Sequence, residues 1–113
     1  PMHALTVMND VTYVEAGRAL ADIILRDAKD DEARLYLAVK RVLGRNASAD
    51  ELNLLELSLE RGVASFTEDP EAARRFLSHG DSKSQSEVPP VTRAAWAAVC
   101  LNLLNLDETL NKE

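Results

Sequence analysis

Few side chains in this sequence have the type and spacing that catalysis, metal binding or cofactor binding requires. The two imidazoles, His3 and His79, belong to no His-x-x-x-His or Cys/His cluster of the kind that binds zinc. Cys100 is the single thiol, and we interpret it as a small buried apolar residue. The sequence contains no Gly-x-Ser-x-Gly nucleophile motif and no phosphate-binding glycine motif. We therefore predict no catalytic, cofactor-binding or metal-ligating residue, and we do not expect the chain to be an enzyme on its own.

Five polar positions are candidates for an interaction or a structural role. Asn9 and Asp10 separate two predicted helices, where a capping role is expected. Asn102 and Asn105 interrupt the apolar run of the last helix and need hydrogen-bond partners if they are buried. Asp107, next to a second carboxylate, could bind a cation only if other oxygens converged on it. A polar contact that fixes helix register is our first interpretation, and a pocket that gathers these groups is the alternative.

The composition predicts one small helical domain. The chain has 113 residues, of which 46% are hydrophobic and only 4% aromatic, so Leu, Ala and Val must supply most of the core. The formal net charge of -6 argues against nucleic acid as a partner, because the field of the whole molecule repels phosphate. Since no stretch of about 18 apolar residues occurs, we expect no membrane insertion.

Residues 11–28 predict a long helix that is apolar on nearly every side. Its polar side chains recur at steps of three and four and form one narrow stripe, Glu15, Arg18, Asp22 and Arg26. We therefore place this helix at the centre of the bundle. Because charges of both signs alternate along the stripe, we interpret it as a solvated, weakly ion-paired surface.

Capping signals predict the two middle helices. One begins at Asp30 or Asp31 and ends at Gly44, since glycine is the usual residue just beyond a helix C-terminus. The next begins with a capping box, in which the hydroxyl of Ser48 and the carboxylate of Glu51 satisfy free backbone amides reciprocally. Within this second helix, apolar side chains form a broad stripe, which Leu54 and Leu57 widen toward a second neighbouring helix. Gly62 costs about 1 kcal/mol relative to alanine inside a helix, and we expect it to mark a close approach to another helix.

The C-terminal half of the sequence predicts a short helix, a mobile loop and a long helix. The short helix begins at Asp69 and Pro70, and residues 81–90 form the loop. The long helix begins near Thr92, and a short apolar helical segment is also expected over residues 1–8. Apolar residues of the last helix repeat at steps of three and four, at Trp96, Val99, Leu103, Leu106 and Leu110.

These elements predict an all-α fold: a compact bundle of about five helices, with a central first long helix and a long C-terminal helix packed along it. We expect residues 1–113 to form a single domain, cut from a larger multidomain protein. The two middle helices also imitate a helix-turn-helix. The would-be recognition helix begins with Asp50 and Glu51, however, where proximity to phosphate demands neutral or positive groups.

Three segments carry a resemblance to a known family. Residues 8–21, residues 42–45 and residues 96–108 resemble the C-terminal part of a family of unknown function that is expanded in planctomycetes. Longer members of that family often have a cytochrome-c-like haem module far upstream. The resemblance implies a periplasmic or cell-envelope location, with no cofactor in this chain and haem in an upstream domain of the parent protein.

Two functional hypotheses follow. The first is a noncatalytic helical module that packs against other domains of the same polypeptide or against a protein partner. The alternative is an accessory domain that completes a redox or hydrolytic site of the parent protein. An exposed apolar patch would favour the first, and a concave pocket lined by the polar candidates would favour the second.

Overall fold

Five helices account for nearly all of the residues that the computed structural model describes, which are residues 11–78 and 88–110. The predicted all-α bundle is confirmed. The predicted segment over residues 1–8 and most of the predicted loop over residues 81–90 lie outside the described residues. The helices are α1 (Val11–Asp27), α2 (Asp31–Leu43), α3 (Ala49–Glu68), α4 (Pro70–Ser78) and α5 (Pro90–Leu110).

The caps of α2 and α3 are those that the sequence predicts. The Asp30 carboxylate accepts a hydrogen bond from the backbone N–H of Ala33 at 2.8 Å, and α2 ends at Gly44 with φ of 72°. The capping box at the start of α3 is complete. The backbone N–H of Glu51 donates to Ser48 Oγ at 3.2 Å, and the backbone N–H of Ser48 donates to Glu51 Oε1 at 2.9 Å. Local chemistry therefore sets both boundaries.

Proline begins helices α4 and α5. Helix α4 starts at Pro70, and the Asp69 side chain accepts a hydrogen bond from the backbone N–H of Ala72 at 3.2 Å. Helix α5 starts at Pro90, two residues before the predicted start at Thr92. The helix starts earlier than predicted because the N–H groups of its first turn have no acceptor within the helix, so proline, which lacks an N–H group, is tolerated there.

Helix α5, rather than α1, is the central helix of the bundle. It packs against all four other helices, whereas α1 packs mainly against α5 and α2. Successive helices also contact each other, and a hydrogen bond from Arg18 Nη1 to the backbone carbonyl of Leu77 joins α1 to α4. The four helices thus follow one another around α5. The prediction that α1 is central was wrong because Ala16 and Ala19, two of its apolar residues, lie on its solvent face. An alanine in a helix therefore does not indicate that this side of the helix is buried.

Small residues allow the close packing around α5. Ala94, Ala95 and Ala97 are at most 1% exposed. A Cβ atom added to Gly62 of α3 would lie 3.4 Å from the Cα of Ala95, and one added to Gly17 of α1 would lie 3.2 Å from the carbonyl oxygen of Ala97. The close approach predicted from Gly62 is therefore confirmed. The largest side chains enclosed by this packing are Trp96, Ile24, Leu103, Val39, Val99 and Cys100.

The polar stripe of α1 is the expected solvated surface only in part, at Glu15 and Arg26. Arg18 is only 2% exposed and reaches the carbonyl of Leu77 in α4. Asp22 accepts a hydrogen bond from Arg93 Nε of α5 at 3.4 Å. Of the four members, Arg26 agrees best with the prediction, with 72% of its side chain exposed. Arg18 is covered where the end of α4 meets α1, and Asp22 lies against the start of α5, contacts that helical periodicity within α1 cannot reveal.

Candidate functional site

The two asparagines of α5 differ in their surroundings. Asn102 is exposed, and its Nδ2 donates to Ser58 Oγ of α3 at 3.3 Å. This contact joins two helices at the surface and agrees with a role in helix register. Asn105 is half-buried. The remaining candidates, Asn9, Asp10 and the side chain of Asp107, lie outside the described part of the chain, so a pocket shared by these groups stays a prediction.

Cys100 lies in the core, as expected for a small apolar residue. Its exposed fraction is 0%, and burial raises the pKa of its thiol to about 12. The thiol is therefore neutral at physiological pH, and only the thiolate is a strong nucleophile or metal ligand. The predicted caps likewise explain the hydroxyl of Ser48.

The described residues contain no candidate for a metal cluster or a membrane-spanning helix. Among residues 11–78 and 88–110, no group of three or more His, Cys, Asp or Glu side chains is placed to hold a metal ion. None of the helices in the same residues is both long enough and apolar enough to cross a membrane. His3 and His79, the two imidazoles considered for metal binding, lie outside these ranges.

An apolar groove opens at one end of the bundle, between α2, α3 and α5. It encloses about 310 Å³ of space open to solvent on one side. We call it the apolar groove. Six of its seven lining residues are aliphatic, and its only charged residue is Glu51 at the rim. The lining residues are Val39, Leu43, Glu51, Leu54, Leu55, Leu103 and Leu106.

Leucines at and beside this groove are exposed to an unusual degree. Leu54 is 68% exposed, Leu57 is 45% exposed and Leu106 is 42% exposed. The sequence predicted that Leu54 and Leu57 would meet a second neighbouring helix. Within the described residues no helix covers them, so that expectation is wrong. We refer to Leu54, Leu57 and Leu106 as the exposed leucines.

An ion pair fixes the rim of the groove. Arg45, in the connection between α2 and α3, donates from Nη1 to Glu51 Oε1 at 2.8 Å and from Nη2 to Glu51 Oε2 at 2.6 Å. The Arg45 guanidinium, helped by the backbone N–H of Ser48, lowers the pKa of Glu51 to about 2. Glu51 is therefore ionised at neutral pH, and its two oxygens are committed to the cap and to Arg45. The carboxylate at the rim of the groove is therefore not available as a general acid or base.

A second hollow between α2 and α3 is polar. It is lined by the carboxylates of Glu32 and Glu56 and the amide of Asn53, with apolar side chains beneath them. Two carboxylates alone make neither a general acid–base pair nor a cation site without further convergent ligands. The apolar groove is therefore the stronger candidate for function.

No protein-family model, curated protein or solved structure matches the chain. The placement of side chains therefore carries the functional argument. Sequence reasoning missed the apolar groove because an apolar stripe on a helix does not show which of its members find a partner within the chain. The signal that was present is the width of the α3 stripe, in which Leu54 and Leu57 exceed what one neighbouring helix can cover.

Proposed function

We propose that this protein is a noncatalytic helical module that docks another domain of the same polypeptide, or a partner protein, through the apolar groove and the exposed leucines. The exposure of Leu54, Leu57 and Leu106 is the observation that carries the proposal. Leu54 and Leu106 both line the apolar groove, and exposed apolar side chains around such a groove mark a docking surface, because water penalises their exposure.

The chemistry of the surface favours a helical apolar partner. The groove runs between helices and is lined almost entirely by aliphatic side chains, which suits an amphipathic helix that inserts its apolar face. Complete burial of one leucine contributes roughly 1.5–3 kcal/mol. Three half-exposed leucines are therefore sufficient for a specific contact between domains that are already linked, where the effective concentration is high.

The resemblance of residues 8–21, 42–45 and 96–108 to a planctomycete-expanded family supplies the context of the proposal. On that basis we place the module in an exported, cell-envelope protein whose upstream part carries a cytochrome-c-like domain. The haem would then belong to that domain and not to this chain. The alternative, an accessory domain that completes a redox or hydrolytic site, has no cluster of described side chains in its favour.

Site-specific crosslinking tests the proposal. A photoreactive phenylalanine derivative at position 57 of the parent protein, irradiated in cells, is expected to crosslink one partner or domain through a defined peptide. Purified protein is then titrated with that peptide or domain. Leu54→Glu and Leu57→Glu are each expected to raise the dissociation constant at least tenfold, which corresponds to a loss of about 1.4 kcal/mol of binding free energy.

The control is Ala19→Glu, which adds the same charge at an exposed position of α1, a helix that does not line the groove. This variant is expected to bind within twofold of the wild type. Equal weakening by all three variants, or full affinity of the leucine variants, would contradict the proposed docking surface.

A further inference from the structure

A row of carboxylates runs beside the exposed leucines of α3. Glu56 and Glu60 are both exposed. They are four residues apart, so they lie on the same side of the helix, about 6 Å apart along its axis. Glu32 of α2 lines the polar hollow together with Glu56. We call Glu32, Glu56 and Glu60 the acidic margin.

The acidic margin is not neutralised by ion pairs within the described part of the chain. None of its three carboxylates forms an ion pair with a described residue, whereas Glu51 pairs with Arg45. Helix α3 carries five acidic residues and one basic residue, Arg61, which lies about 100° around the helix from Glu60. Because like charges four residues apart on a helix repel each other, a cation placed over the acidic margin is favoured.

The acidic margin borders the docking surface on the side away from the apolar groove. Each residue of a helix advances about 100° around its axis. From Leu54, which lines the groove, the next residue in one direction around α3 is Leu57, about 60° away. Glu60 lies about 60° beyond Leu57, and Glu56 about 40° beyond Glu60. The order across the surface is therefore the groove, the leucines and then the carboxylates.

We propose that the partner of this docking surface is a basic amphipathic helix. Its apolar side chains fill the groove and cover the exposed leucines, and two lysine or arginine residues one turn apart along the border of its apolar face pair with Glu56 and Glu60. Long basic side chains suit this border because their stems pack on apolar surface while their charged ends reach the carboxylates. The inference rests on the proposed function and adds to it the charge pattern of the partner.

The same charges argue against a second copy of this chain as the occupant. A symmetric dimer through the exposed face of α3 would place one acidic helix against another, which costs binding free energy. The formal net charge of -6 adds a general repulsion between copies. An amphipathic helix with an acidic border is rejected for the same reason, so the acidic margin selects among apolar partners.

Three synthetic peptides test the inference with the 113-residue chain. Each has about 18 residues and the same leucines on one helical face, and the positions that border this face are all lysine, all glutamine or all glutamate, which have similar helix propensities. By fluorescence anisotropy, the lysine peptide is expected to bind at least about tenfold more tightly than the glutamine peptide, and the glutamate peptide more weakly than both. Raising the salt from about 20 to about 500 mM should reduce the lysine preference to about threefold or less.

Two double variants locate the charges that are responsible. Glu56→Gln with Glu60→Gln is expected to raise the dissociation constant of the lysine peptide at least about fivefold and to leave that of the glutamine peptide within about twofold. The matched control, Asp27→Asn with Glu71→Gln, removes the same charge from exposed positions of α1 and α4 and should leave both constants within about twofold. Equal weakening by the two double variants would indicate general charge attraction and overturn the inference, as would a lysine peptide that does not bind.

Leu57→Glu distinguishes failure of this inference from failure of the proposed function. It adds a negative charge and removes an apolar contact, and it is expected to weaken binding of the lysine peptide at least about tenfold. Stronger binding would mean attraction by charge alone and would overturn the docking surface itself. Lysine and glutamine peptides that bind equally, and are both weakened by Leu57→Glu, would overturn only the basic partner. A dimer of the chain that Leu57→Glu dissociates, measured by sedimentation, would assign the surface to a second copy and overturn the inference.

Discussion

The two ends of α5 lie in very different surroundings. Toward its start, Ala94, Ala95, Trp96 and Ala97 are at most 1% exposed. Toward its end, Leu103 is 2% exposed, but Leu106, one turn further on, is 42% exposed and borders the apolar groove. We call these the closed end and the open end.

The difference shows that side-chain size determines how closely the neighbouring helices pack along α5. At the closed end, alanines and the facing glycines let backbones approach so closely that an added Cβ would lie 3.2–3.4 Å from its neighbours. At the open end, the leucines of α2, α3 and α5 leave a groove of about 310 Å³ between them. The closed end therefore determines the fold, and the open end is the surface that can still gain stability by contact.

Thiol labelling should show the largest contrast. Cys100 has an exposed fraction of 0%, and burial raises its pKa to about 12, so modification requires opening of the core. With an unfolding free energy of at least about 5 kcal/mol, labelling at pH 8 should be slower by roughly 10³-fold or more than for an exposed thiol. The reference is Ala19→Cys in a Cys100→Ala background, measured with the same reagent. Comparable rates would show that the closed end opens readily.

Truncation of one large side chain at each end should give unequal losses of stability. Trp96→Ala, at the closed end, is expected to cost about 3–5 kcal/mol in the free energy of unfolding because it leaves a cavity. Leu106→Ala is expected to cost no more than about 2 kcal/mol, since much of that side chain is exposed among the described residues. Urea denaturation measures both. Similar costs would contradict the contrast between the ends.

Arg18 gives a test at the contact that joins α1 to α4. Arg18→Met keeps the apolar stem of the side chain but removes the donor to the Leu77 carbonyl, which should cost about 2 kcal/mol. Arg26→Met is the matched control on the same helix, where the arginine side chain is 72% exposed, and should change stability by less than about 0.5 kcal/mol. Equal shifts of the denaturation midpoint in Arg18→Met and Arg26→Met would contradict the burial of Arg18.

The smallest effect is expected at the rim of the open end. The folded-state pKa of Glu51 is lowered to about 2, mainly by Arg45, whereas an unfolded glutamate titrates near 4.3. The stabilisation is therefore present above about pH 4.5 and is lost as the pH falls toward 2. Because both partners are partly exposed, solvent screening keeps this contribution small.

The measurement for this pair is the stability difference between the wild type and Arg45→Met from pH 7 to pH 2. The difference should be constant down to about pH 5 and then shrink toward zero. Arg61→Met, on the exposed face of α3, should show no such change. A difference that grows on acidification would contradict the stated role of the ion pair.

Sequence reasoning was most successful where one turn of chain decides the structure. The cap at Asp30, the capping box at Ser48 and the αL residue Gly44 were all predicted, because each satisfies backbone groups within four residues of itself. The close approach at Gly62 was also predicted, since a glycine inside a helix carries a cost that needs a reason.

Features that depend on distant elements were mispredicted or missed. The burial of Arg18 depends on where α4 ends, a contact between positions 59 residues apart. The identity of the central helix depends on which alanines face a neighbour, and Ala16 resembles Ala95 in the sequence although the first is exposed and the second is buried. The groove was missed for the same reason, because the periodicity of Leu54 and Leu55 does not distinguish an apolar residue that faces the core from one that faces solvent.

The central position of α5 has a consequence for how the chain is made. Synthesis delivers α1 to α4 before α5, and these four helices share a core that α5 occupies. Gly17 finds its neighbour Ala97 only after eighty further residues have been added. The nascent chain is therefore expected to stay uncollapsed or chaperone-bound until α5 emerges, and then to fold in one cooperative step.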